Sequence, residues 1–131
     1  MWLSSLTDEQ RKALLGLAHN VVVSDGLLDP NEEVMLDEFK REMALHPATE
    51  ADYLELEGMG EVFSTRRAQT IALLNLLRLS YVDGAFEIEE ECLLKDLSET
   101  FGFDASDFLL LHNWVKRLVA LEKEAAGLMA P

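Results

Sequence analysis

Residues 25–33 read Asp-Gly-Leu-Leu-Asp-Pro-Asn-Glu-Glu, and residues 83–91 read Asp-Gly-Ala-Phe-Glu-Ile-Glu-Glu-Glu. A shift of 58 positions lays Asp25-Gly26 on Asp83-Gly84, Asp29 on Glu87, Glu32 on Glu90 and Glu33 on Glu91. The same shift places Leu36 on Leu94 and Phe39 on Leu97. Each copy reads as a long apolar helix, an Asp-Gly stop, an acidic cap and an amphipathic helix. Glycine takes the left-handed conformation that ends a helix at little steric cost. Asp29 caps the helix that follows, Pro30 takes its first position and Glu32 completes a capping box.

Outward from these motifs the period stays helical. Thr7-Asp8-Glu9-Gln10 is a capping box, and Leu14, Leu17, Ala18, Val21 and Val22 follow at helical spacing. The helix opened by Asp29 extends to about Ala44 on Val34, Leu36, Phe39 and Met43, and His46-Pro47 breaks it. A short helix is expected over residues 48–57, ended by Gly58-Met59-Gly60. Ser64 is read as the cap of a long helix over residues 65–82. Its leucines cover most of the circumference, so it should be central and buried. Residues 87–101 form the next helix, with Gly102 as its stop. Asp104 caps a last helix carrying Phe108, Leu109, Leu111, Trp114, Val115, Leu118 and Leu121, and residues 125–131 are expected to fray. No stretch alternates with period two. The expectation is an all-α fold of six to seven helices, one domain over residues 1–131, built from two pseudo-symmetric halves at about 7–58 and 64–122. Neither half is large enough to close a core alone, so the two should pack face to face.

The chain has 131 residues, 49% hydrophobic and 27% charged, an ordinary globular mixture. Eleven Lys and Arg stand against 25 Asp and Glu, for a formal charge of −14. That excess disfavours nucleic acid and anionic lipid and suits cations or basic partners. The one cysteine, Cys92, permits no internal disulfide and leans towards the cytosol. Apolar runs are too short for a membrane span, and the first residues lack the basic region of a signal peptide, so a soluble, cytoplasmic protein is expected.

The acidic motif admits two readings. Clustered carboxylates repel unless neutralised, and Ca²⁺ or Mg²⁺ favours such oxygen ligands. Asp25, Glu32, Asp83 and Glu90 are then the ligands, at one shared site or two separate ones. Alternatively, Asp-Gly is a helix-ending turn, Glu32 and Glu90 are capping partners, and the other acids are solvated first-turn residues favoured by the helix dipole. The spacing does not match an EF-hand, whose sixth-position glycine would put Val21 or Leu79 at its first ligand.

The doubled pattern of Asp-Gly, five residues and Glu between helices resembles the TerB-like (tellurite-resistance TerB) family. The resemblance covers nearly the whole chain in size, helical reading, two halves and acidic character. It implies an all-α fold of two similar halves and a metal-binding acidic site at Asp25, Glu32, Asp83 and Glu90, where the carboxylate chemistry favours Ca²⁺ or Mg²⁺ over Zn²⁺. It further implies a bacterial, cytoplasmic, non-catalytic binding or scaffold role in stress response such as tellurite resistance. The partners it implies are proteins, including membrane-associated stress proteins; the charge and the short apolar runs point to no nucleic acid and no membrane insertion. TerB-like modules also occur outside tellurite resistance, including in a J-domain co-chaperone. Ser24 fits the small residue usual before the first Asp; Val82 is bulkier, and Ile88 stands opposite Pro30.

Alternatives are a metal-independent protein-interaction module and, further off, a metal-assisted hydrolase. No phosphate loop, nucleophile elbow, His-Glu-x-x-His or Cys-x-x-Cys is present. His19 is read as a helix-surface residue, His112 as a partly buried, hydrogen-bonded core residue, and Trp114 as core. Cys92, opposite Val34 in the repeat, is read as core packing. Arg66, Arg67, Lys116 and Arg117 are read as surface pairs that contribute little. Trp2 and Leu3 either dock on the core or form an exposed patch.

Overall fold

The computed structural model describes residues 1–24, 29–51, 53–82 and 88–131. A short 3-10 helix, Leu3–Ser5, precedes six α-helices: α1 Asp8–Val23, α2 Pro30–Glu42, α3 Met59–Val62, α4 Arg66–Ser80, α5 Ile88–Thr100 and α6 Ala105–Met129. The protein is all-α, and no strand occurs among the described residues.

The 58-residue offset holds at the helix boundaries. Thr7 caps α1 and Thr65 caps α4, each accepting a hydrogen bond from the third helical amide, Gln10 N at 3.2 Å and Ala68 N at 3.1 Å. The cap of α4 is therefore Thr65 rather than Ser64. Helices α2 and α5 each span 13 residues and begin 58 positions apart, at Pro30 and Ile88. Their exits match too. The amide of Leu45 bonds the carbonyl of Lys40 at 2.8 Å, and that of Phe103 bonds Ser98 at 3.0 Å.

The equivalent helices α1 and α4 pack on each other. Helix α2 lies on α1, α5 and α6 lie on α4, and α3 sits between α1 and α5. One core runs through both halves: Leu14, Leu17 and Val21 from α1, Phe39 from α2, Leu73, Leu76 and Leu77 from α4, Leu94 and Leu97 from α5, and Val115 from α6. Helix α4 is the central, buried helix expected from its leucines. Phe63 and Phe101 meet edge to face, centroids 5.6 Å apart, where α3 reaches the end of α5. The approach is close there: a Cβ at Gly60 would stand 3.3 Å from the Thr100 carbonyl oxygen.

The helix expected over residues 48–57 does not form; its described residues make turns and irregular chain. The cause is distant in sequence. The buried Asn20 amide accepts from Leu54 N at 3.2 Å and donates to Leu54 O at 2.7 Å. Both backbone groups are thereby satisfied outside a helix. Helix α3 starts at Met59, inside the stretch read as a stop, with Gly58 at φ 85° as its cap.

Cys92 and its counterpart Val34 are both exposed, not core, because they face away from α4 and α1. Leu109 and Leu121 are also exposed, whereas Phe108, His112 and Val115 are buried against the bundle. The last helix does not fray at residue 125 but continues to Met129. Trp2 docks on Trp114, ring centroids 6.1 Å apart, and keeps 46% of its surface exposed.

Candidate functional site

The four acidic residues of the doubled motif divide into two pairs. Asp25 and Asp83 lie outside the described residues. Glu32 and Glu90 sit in the first turns of α2 and α5, and both are buried, 3% and 2% exposed. Their acidic neighbours Glu33 and Glu89 are exposed and Glu91 is partly so.

Helix α2 shows how the position is built. The Asp29 carboxylate accepts from Asn31 N at 2.8 Å, and the Glu32 carboxylate accepts from Asp29 N at 3.2 Å. That is the capping box read from the sequence. The box explains where Glu32 sits, but not why the position carries a glutamate. In α1 the same third position is held by Gln10, also buried, whose amide oxygen accepts from Thr7 N at 3.0 Å. A neutral amide thus serves the box without the several kcal/mol that burying a carboxylate costs. The repeat nevertheless places a carboxylate at both 32 and 90.

Carboxylate oxygens suit a hard divalent cation, so the residue chemistry of this position fits Ca²⁺ or Mg²⁺. Among the described residues no three His, Cys, Asp or Glu lie together closely enough to hold a metal ion. Of the four acids read as ligands from the sequence, Glu32 and Glu90 are described, and Asp25 and Asp83 fall outside the described residues.

A second polar cluster lies in a cleft between α5 and α6, lined by Glu91, Lys95, Ser98, Phe103, Phe108 and His112. His112 is 8% exposed and hydrogen-bonded through Nε2 to the Tyr81 hydroxyl. Burial, then the Lys116 charge, lowers the His112 pKa below 6.5; Glu91 opposes the shift, and Lys95 adds to it. Burial and the Glu91 charge raise the Tyr81 pKa. Lys95 pairs with Glu91 at 3.2 Å. His112 is thus the hydrogen-bonded core histidine that its leucine-rich surroundings indicate. His19 is partly exposed, and His46 is exposed, its Nδ1 accepting from Ala48 N at 3.0 Å.

Arg66 does more than a surface charge: it pairs with Asp107 at 3.1 Å and lies 3.4 Å over the Phe103 ring. Buried Asn20 and Asn75 were not singled out by sequence pattern. Asn75 Nδ2 donates to the carbonyls of Ile71 at 2.8 Å and Met1 at 2.9 Å. An asparagine interrupting an apolar helix stripe is the signal that could have found both. No helix among the described residues is long and apolar enough to cross a membrane. No protein-family model matches the chain, and neither a curated protein nor a solved structure matches it.

Proposed function

We propose that this protein is a non-catalytic, TerB-like helical binding module whose acidic motif holds a divalent cation, Ca²⁺ or Mg²⁺ before Zn²⁺. The observation that carries the proposal is the matched burial of Glu32 and Glu90, 58 residues apart, at positions where Gln10 shows a neutral amide to suffice. Carboxylate oxygens are the ligands a hard divalent cation favours, so a buried glutamate at both positions supports this reading. Asp25 and Asp83 complete the ligand set in this reading, with one shared site and two separate sites both open. The cellular role that follows is a cytoplasmic binding or scaffold module in bacterial stress response such as tellurite resistance, with a protein partner, including one at the membrane.

Calorimetric titration of chelator-stripped protein with Ca²⁺ or Mg²⁺ tests the proposal against Glu32→Gln/Glu90→Gln. Glutamine keeps the capping bond, so the variant separates metal binding from capping. Saturable binding by wild type that the double variant loses supports the cation. Heat identical to buffer dilution in wild type refutes it.

One observation favours the metal-independent alternative: an apolar run along α6 remains open to solvent. An interaction module needs such a surface.

A further inference from the structure

We propose that two copies of this chain associate through α6 as an antiparallel two-helix seam. The proposal is independent of the cation. Leu111, Trp114, Leu118, Leu121, Ala125 and Leu128 follow one another at spacings of three and four, the heptad pattern of a coiled-coil seam. The stripe is set off from the fully buried face of α6, although Leu111 and Trp114 at its start pack against the core and Trp2 docks on Trp114. Phe108, His112 and Val115 are the buried residues of α6. At 3.6 residues per turn the two faces stand about 120° apart. Along the stripe, burial falls off towards the helix end. Leu111, Trp114 and Leu118 are half-buried, Leu121 is 61% exposed, and Leu128 is 83% exposed. Every residue from position 120 to 129 is exposed, yet the helix continues to Met129. Isolated helical turns of that length are marginal in water unless an apolar face is covered.

Charge and size select the occupant. An antiparallel copy sets Leu111 against Leu128, Trp114 against Ala125 and Leu118 against Leu121, so the bulkiest side chain meets the smallest. In that register Arg117 of one copy flanks the seam opposite Glu124 of the other, and two-fold symmetry forms the pair twice. Both residues are exposed, and neither has an ion-pair partner among the described residues. A parallel copy instead stacks Trp114 on Trp114 and Ala125 on Ala125. It also aims Arg117 at Glu122, which Arg78 already holds at 3.1 Å.

Sedimentation equilibrium over a concentration series, in chelator, tests the proposal without involving the cation. Wild type is expected to approach about twice the chain mass of 14.7 kDa as concentration rises. Leu121→Glu should remain monomeric while keeping wild-type helicity, since the side chain is exposed. Arg117→Glu and Glu124→Arg should each weaken association by about tenfold, and the double swap should restore it. A wild type that stays monomeric at millimolar concentration overturns the proposal. So does a dimer indifferent to Leu121→Glu. A double swap that fails to recover overturns the antiparallel register.

Discussion

Ala44 and Gly102 occupy the same backbone position in the two repeats: each follows the cap of a 13-residue helix, and each takes positive φ, 57° and 83°. The hydrogen bonds around them match, Ala44 N to Arg41 O at 3.1 Å and Gly102 N to Glu99 O at 2.9 Å. Only one of the two residues suits the geometry.

Left-handed backbone costs a residue with a Cβ roughly 1 kcal/mol more than glycine. Ala44→Gly should therefore stabilise the protein by about 0.5–1 kcal/mol, and Gly102→Ala should destabilise it by a similar amount. No atom lies within 4 Å of a Cβ built at Gly102, so the cost there is backbone strain alone. Urea midpoints of the two variants, moving in opposite directions, check the prediction.

The Asn20 clamp on Leu54 predicts a larger effect. Asn20→Ala removes both bonds to Leu54. Leaving partly buried amide groups unmade should cost about 2 kcal/mol. Hydrogen exchange should speed up at the Leu54 amide while the α4 amides keep their pattern.

Thr65→Ala should cost about 1 kcal/mol, the usual value of a helix N-cap, whereas Ser64→Ala should fall within about 0.5 kcal/mol of wild type. Thermal melts of the two neighbours decide which residue is the cap.

His112 makes stability fall on acidification. Its folded pKa lies below 6.5, so below about pH 6.5 the unfolded chain binds a proton that the folded chain refuses. The stabilising effect of the neutral ring is complete above that pH and is lost as pH falls through the folded pKa. Urea midpoints measured from pH 7.5 to 5 should drop in wild type and drop less in His112→Gln.

The repeat made the helices legible, because caps and apolar periodicity are local signals: the Thr7 box, the Asp29-Pro30 start and the leucine-covered α4 all stand where the residues put them. What sequence missed depends on distant partners. The helix over residues 48–57 yields to Asn20, more than 30 residues away. Cys92 stands opposite Val34 in the repeat, but the shared position faces solvent, since equivalence in a repeat fixes register and not burial. Leu121 continues the apolar spacing of the last helix yet is exposed, since spacing alone does not show where α6 runs past the bundle. In the candidate site the positions of Glu32 and Glu90 followed from the repeat; their nearly complete burial did not.

Thermal unfolding of chelator-stripped protein, with and without Ca²⁺ or Mg²⁺, tests the acidic motif most directly, in wild type and in Asp25→Asn/Asp83→Asn. A cation at a hundredfold excess over its dissociation constant stabilises by about 2.7 kcal/mol. In a domain of this size that raises the wild-type midpoint by about 10 °C, and the double variant should lose the shift. A wild type that no cation shifts, with a variant equally or more stable, would contradict the metal site and leave the repeated acids as helix caps and surface.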